Sequence, residues 1–486
     1  MGNHPAQVPP PPPPPPPTAQ YDLAFSTFLG GSQQEQARDI ATDAQGNIYV
    51  TGGGQSPNFP TTPGAFDTTP NGSFDVFVTK YTPNGQVIWS TVLGGSQYDR
   101  AYALEVDAAG FVYIAGRAGP GLPTTAGAFQ PTYNGHYTGT AYGNQNAFVA
   151  KLKPDGSGLV FASYFGTSEL IRDLAIDADG DIYIAGTHKP TDTGTPPPAA
   201  WFAGRYQPSP NTGWENIVAK IKSDGSQVLW ASYLGGSAND GGAPSIRVDA
   251  QERPVVVSTT SSADFPTTTG AYDRTYNGGV DMMVAKFSAD GSQLLYSSYL
   301  GGSGNEGTET HNLALDSAGN AYISGYTQST NLPTTTGAFQ RTYGGGANDA
   351  FLMKVSADGT TLLASTYYGG SGGEGSEGVN LDAAGNVYIS GPTTSANLPM
   401  AAGAFRATNA GLSDMFVAKF TSSLTTLSYS TYLGGPGSDQ ARVSYVNAAG
   451  DIFLAGHVES GFFTKNAAQP LFGGVSDAAV AKFRIL

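Results

Sequence analysis

The chain has 486 residues, among them 66 glycines and 33 prolines, no cysteine, and a formal net charge of −15. The lack of cysteine excludes disulfides, zinc–thiolate sites and thiol catalysis. The acidic balance argues against a general nucleic-acid or anionic-membrane binder, which needs a basic face, and no apolar run is long enough to span a bilayer as a helix.

Residues 1–20, MGNHPAQVPPPPPPPPPTAQ, lack the basic-then-apolar order of a secretory signal. Pro9 to Pro17 predict a polyproline II rod of roughly 28 Å, at about 3.1 Å per residue. The tail reads as a stiff spacer or as a docking arm. As an arm, residues 5–20 would seat in a Tyr- or Phe-lined groove of a second copy, giving homo-oligomeric rings or open filaments.

From residue 21 onward the chain repeats itself. A Leu-Gly-Gly mark, or a variant of it, falls at Leu29, Leu93, Phe165, Leu234, Leu300, Tyr368 and Leu433, at intervals of 64 to 72 residues. The cleanest unit, Leu294 to Asp358, holds four short extended segments: LLYSSYL, HNLALD, NAYISG and DAFLMKV. Each is rich in Tyr, Val, Ile, Leu or Phe and is bounded by Gly, Asn, Asp, Ser or Thr, as strands between turns are. Counted from the Gly-Gly turn, strand A is HNLALD, B is NAYISG, C is DAFLMKV, and D is the next LLASTYY. The first segment, Leu23 to Leu29, is a D strand without A, B or C before it, whereas the last unit from Ala441 supplies A, B and C and then stops. These complementary ends predict an all-β fold, a single seven-bladed β-propeller of four-stranded blades over residues 21–486. The N-terminal strand would pair with the last blade near Val480 to Leu486 and leave no open edge. The B–C loops and D–A crossings then share one face, called the top, and the A–B and C–D hairpins share the other.

YSSYLGGSGNE, LALDSAGNAYISGYT, NLPTTTGAF and DAFLMKV together resemble the bacterial SBBP, or beta-propeller repeat, family over nearly all of residues 21–486. The resemblance implies a secreted or surface-exposed bacterial protein, usually without an assigned activity. The third unit departs from the pattern, with Thr167 in place of the second Gly and TGTPPPAAWFAGRYQPSPNTGW in place of the PTTxGAF loop.

Two sets of residues are candidates for a site. Six residues past the mark stands an acid in six units: Glu35, Asp99, Asp240, Glu306, Glu374 and Asp439, with Glu169 two places early in the third. A ring of carboxylates suits a cation such as Ca²⁺; the alternative is that each accepts N–H groups of its own Gly-rich crossing. The second set is aromatic residues that the repeat does not require. Tyr133, His136, Tyr137 and Tyr142 lie in the second B–C loop, and Trp201, Phe202, Tyr206 and Trp214 in the third. They suit a sugar or a protein partner, or a satellite core under long loops.

The remaining polar residues read as structural. One lysine per C strand (Lys80, Lys151, Lys220, Lys286, Lys354, Lys419, Lys482) is expected between blades. Its expected partner is the acid that ends an A strand: Asp43, Asp107, Asp177, Asp249, Asp316 or Asp382, a series broken by Asn447. DADGDIY at Asp177 reads as a hairpin, since His188 stands where a calcium loop needs Glu. His4, His136, His188, His311 and His457 show no metal-ligand spacing and are expected in exposed loops. No catalytic residue, metal site or cofactor is assigned beyond the Ca²⁺ alternative. The leading expectation is a non-catalytic scaffold or binding module for a glycan or protein at the bacterial cell surface or outside the cell. The alternatives are a self-assembling filament subunit that uses the proline tail, and an extracellular polysaccharide lyase or hydrolase.

Overall fold

The computed structural model describes residues 21–135, 137–140, 142–166, 168–189 and 196–486. The proline tail with His4, residue His136 and the side chain of Tyr137 lie outside the described residues.

Seven antiparallel sheets surround one axis, each with strand order A-B-C-D from the centre outward. In the first blade these are Glu35–Thr42, Ile48–Gly54, Asp75–Tyr81 and Val87–Leu93. The second blade adds a short strand, Tyr137–Thr140, beside a lengthened C strand, Gly143–Leu152. In the fifth blade the A strand is split into Glu306–Gly307 and Leu313–Leu315, and residues 308–312 leave the sheet. Closure follows the complementary chain ends. Tyr21–Leu29 is the outer strand of the seventh blade and pairs with Asp477–Ile485, with Leu23 opposite Phe483 and Leu29 opposite Ala478.

The blades pack through the alternating apolar residues of strands B and C, most of which are buried completely. The sheets hold one polar device in common. The Tyr49, Tyr113 and Tyr388 hydroxyls donate to Asp43, Asp107 and Asp382 at 3.0, 3.1 and 2.9 Å. The C-strand lysine reaches the same acid in six blades, at distances from 2.7 Å (Lys286–Asp249) to 3.8 Å (Lys151–Asp107). Where Asn447 interrupts the series, Asp451 substitutes and lies 3.0 Å from Lys482. A buried ammonium needs its counter-charge, so the lysines are structural. The A–B hairpins turn on a glycine such as Gly46 at φ 79°, but in the fourth blade Glu252 occupies the left-handed region at φ 59°. Asp177 belongs to such a hairpin, accepting the Asp179 and Asp181 N–H groups at 3.1 and 2.9 Å.

Candidate ligand site at the mouth of the central channel

The repeated acids serve their own blades. Gly31 N–H donates to Glu35 at 2.8 Å, Gly95 to Asp99 at 2.7 Å and Gly236 to Asp240 at 2.6 Å. Gly302 donates to Glu306 at 3.0 Å, Gly370 to Glu374 at 2.9 Å and Gly435 to Asp439 at 2.6 Å. Each therefore pins the crossing that carries the mark. A second acid, which begins the C strand of the preceding blade, flanks the same turn. A methyl group added at Gly301 would lie 2.6 Å from a Glu306 oxygen and 2.7 Å from one of Asp281. The turn must be glycine because two carboxylates close on it. Burial is the main force that drives three of the acids at these turns toward the neutral form. It pushes Asp99, Asp281 and Asp349 up to about 7, with the neighbouring carboxylate adding to it.

The informative position lies three residues past the repeated acid. There stand Arg38, Tyr102, Arg172, Ala243, Glu309, Glu377 and Arg442 in blade order, counting from Glu169 in the third blade, either in the A strand or in the segment beside it. In four of these blades the residue is a β-bulge that the register skips: Arg38, Tyr102, Arg172 and Arg442. A bulge re-aims a side chain out of the pleat, and on the innermost strand that direction is the channel. The result is a divided ring. Blades seven, one, two and three supply a cationic arc around Tyr102, and blades five and six supply two acids.

Two more arginines join the arc, Arg100 beside Asp99 and Arg117 at the end of a B strand. The guanidiniums of Arg172, Arg100, Arg117 and Arg38 lie 4.9, 5.2, 5.5 and 5.6 Å from the Tyr102 ring centre. Burial works to raise the Tyr102 hydroxyl, but Arg117, Arg100, Arg172 and Arg38 outweigh it and bring it down to about 7. Arg442 donates from Nη1 alone to both Glu377 carboxylate oxygens, at 2.8 and 2.9 Å, Arg172 is 3.9 Å from Glu309, and Arg117 is 3.2 Å from Glu169, which also pairs with Lys189. Arg38 and Arg100 meet neutral groups. Arg38 donates to Gln36 Oε1 at 3.4 Å, and Arg100 donates to the same oxygen and to the Tyr98 hydroxyl at 3.0 Å. Burial, followed by repulsion from Arg100 and Arg442, lowers Arg38 to about 9. On the acidic side a cavity of about 580 Å³ is lined by Glu309, Tyr326, Asn348, Ser376, Glu377 and Gln440.

Residues 308–312 form the floor. His311 stands at φ 65°, a strained geometry for a residue with a side chain. Its Nε2 lies 3.1 Å from the Tyr102 carbonyl oxygen, which accepts, and 3.6 Å from Asp39. Its Nδ1 lies 3.4 Å from Asp173, which Arg247 also engages at 2.7 Å. Burial opposes its charge, yet Asp39 and Asp173 prevail and raise it to about 9, so the floor is an imidazolium joining four blades.

The histidine expectation is corrected here. His311 and His188 are buried and His457 is half-buried, because His188 and His457 lie in B strands and not in the loops after them. His457 pairs in register with Gln440 beside the ring. Burial, then Arg442, Arg38 and Arg100, hold it well below its ordinary range, as a neutral imidazole.

The structure divides the aromatic candidates. Tyr133 packs on Tyr164 and Tyr206 on Phe287, while Trp201 stacks on Phe165 and buried Phe202 on Tyr233. These four hold the long loops to the blades. Tyr142 and Trp214 instead reach the arc, Tyr142 at 4.7 Å from the Arg117 guanidinium and Trp214 at 4.2 Å from the Lys189 ammonium. The ring is hidden in the sequence because no one residue type recurs at its position. The signal it leaves is a position with a fixed place in each repeat but a changing, mostly charged, residue.

Fold and site define a closed seven-bladed β-propeller with a charged ring at the mouth of a blocked channel. Residues 295–333, which run from the outer strand of the fourth blade into the fifth, match the family model of the SBBP beta-propeller repeat. Regulatory protein FlaEY of Caulobacter vibrioides is 26% identical over 169 residues, which are 34% of this chain and 17% of that protein's length. Among solved structures, the WD40 beta-propeller domain of Doa1 superposes with a TM-score of 0.45 at 10% identity, covering 95% of this chain and 96% of that one. A PL25 ulvan lyase, described as a polysaccharide lyase, superposes with a TM-score of 0.46 at 11% identity, covering 93% and 96%.

Proposed function

We propose that this propeller is a non-catalytic binding module, at the cell surface or outside the cell, which takes its ligand at the top-face mouth of the central channel. One observation carries the site. Arg38, Tyr102, Arg172, Glu309, Glu377 and Arg442 occupy a position where building a blade requires no charge, and closure brings them into one ring. Buried charge is costly, and a fold gains nothing from concentrating it on its axis; a ligand does. Placement outside the cell rests on the repeat resemblance alone.

The test is capture from a glycan array and from a surface-protein extract by the wild-type chain and two variants. Arg172→Gln with Arg442→Gln should lose the ligand, and Tyr133→Ala with Tyr206→Ala should keep it. The opposite pattern would move the site to the aromatic loops. A polysaccharide-active enzyme is the second reading, favoured by the Tyr102 hydroxyl, which four surrounding guanidiniums hold below its ordinary range, in the same ring as the neutral His457. Release of new sugar ends from an acidic polysaccharide, abolished by Tyr102→Phe, would replace the binding-module reading with this one.

A further inference from the structure

The ring has more positive charge than its own acids neutralise. Arg117, Arg172 and Arg442 each have a glutamate, but among the described residues the partners of Arg38 and Arg100 are Gln36 and Tyr98, both neutral. These two side chains are only 8% and 6% exposed. A guanidinium this deep without a directly paired carboxylate destabilises the folded chain, and the more distant Glu309 offsets only part of the burial of Arg38. In addition, the Nε atoms of Arg38, Arg100, Arg117, Arg172 and Arg442 are all buried without a hydrogen-bond partner. Nearly all buried donors in proteins are satisfied, so the four open N–H groups around Tyr102, those of Arg38, Arg100, Arg117 and Arg172, mark the place of an acceptor.

The acceptor is more than a bare anion. Across the ring, Glu309 and Glu377 face a cavity of about 580 Å³ that is also lined by Glu374, by neutral polar groups such as Asn348, Ser376 and Gln440, and by apolar Leu412. Carboxylates and amides there would repel a second anionic group but accept hydrogen bonds from hydroxyls. Beside the cationic arc, Tyr142 and Trp214 are 46% and 43% exposed, and aromatic faces of this kind stack on sugar rings. A nucleic-acid strand is a poor match, because its repeating phosphates need a basic track and not one arc in an acidic protein.

Resting on the channel-mouth reading above, we propose that the ligand is a carboxylated sugar, a uronate unit of an acidic polysaccharide. Its carboxylate is held between Arg38 and Arg100 above Tyr102, and its hydroxyls donate to Glu309 and Glu377.

Calorimetric titration with oligogalacturonate, with its methyl ester, and with sodium acetate tests this. The acid should bind and weaken with added salt, and the uncharged ester should bind at least tenfold more weakly. Arg38→Gln and Arg100→Gln should each weaken the acid tenfold or more. Meanwhile Arg38→Gln should melt no lower than wild type in the absence of ligand, because it removes a buried charge whose burial and repulsion from Arg100 and Arg442 outweigh the attraction of Glu309; this separates lost recognition from lost folding. Equal affinity for acid and ester, or unchanged affinity in folded Arg100→Gln, overturns the proposal. Acetate binding as tightly as the oligosaccharide would assign the arc to a free carboxylate and overturn the sugar. If oligogalacturonate fails while another ligand is still captured in a ring-dependent way, the uronate is wrong and the channel-mouth site stands. If no ligand depends on the ring, both fall.

Discussion

Replacing Asp281 by Asn should make the protein more stable at neutral pH and leave it nearly unchanged in mild acid. Asp281 and Glu306 face one another across the turn at Gly301, and Asp281 accepts the Asn277 N–H at 2.8 Å. Its Oδ1 is buried without a donor. Burial, and then Glu306 and Asp273, raise this carboxyl from 3.8 to about 7. A raised acid keeps its proton longer in the folded chain than in the unfolded one. Stability is therefore lost as pH climbs from about 4 toward 7. Over pH 4.5 to 7.5 this displacement sets a ceiling of about 3 kcal/mol, at about 1.4 kcal/mol per tenfold change in proton affinity. Relaxation in the polar loop, with an effective dielectric near 20, reduces the expected effect to about 2 kcal/mol. Asn keeps the acceptor for Asn277 and offers an N–H₂ to Glu306 in every protonation state. Urea unfolding of both chains at pH 4.5 and 7.5 measures the difference. His311 loses its charge only as pH rises through about 9, and Asp249, held at about 2, is protonated only in stronger acid, so neither intrudes on the window. A variant whose advantage is equal at both pH values would refute the carboxylate-pair account.

Four further outcomes are expected. Deleting residues 1–30 strips the outer strand from the seventh blade, so the single cooperative melt should be lost or aggregation should appear; an unchanged melt would sink the closure. Within that strand Phe28, which packs against Phe462 and Phe472, should cost about 3–5 kcal/mol when changed to Ala, as measured by denaturant unfolding. Asp249→Ala leaves Lys286 buried without its carboxylate 2.7 Å away, and should cost about 3–5 kcal/mol, much of it recovered by adding Lys286→Met. Added Ca²⁺ should not raise the melting temperature, because the repeated acids already hold N–H groups of their own crossings; a rise that vanishes in Glu306→Gln with Glu374→Gln would show a shared cation site.

The sequence by itself determined the blades. Strand patterning and turn chemistry are local properties, so the four segments of Leu294 to Asp358, their Gly-Gly marks and the lysine of each C strand could be read one unit at a time. The unmatched strand at Leu23 to Leu29 and the three-strand final unit went further and determined the closure. Only the tertiary structure decided the site. Arg38, Tyr102, Arg172, Glu309, Glu377 and Arg442 are each more than 60 residues from the next and share no motif. They meet because the innermost strands converge on an axis that exists only once the last blade has closed on the first. The same convergence buries His311, which the chain alone presents as a polar residue in a Gly- and Thr-rich stretch, and makes it the floor. It separates Tyr142 and Trp214 from Tyr133, Trp201, Phe202 and Tyr206 as well, because whether an aromatic loop residue packs down or reaches inward depends on the neighbouring blade, and not on its own repeat.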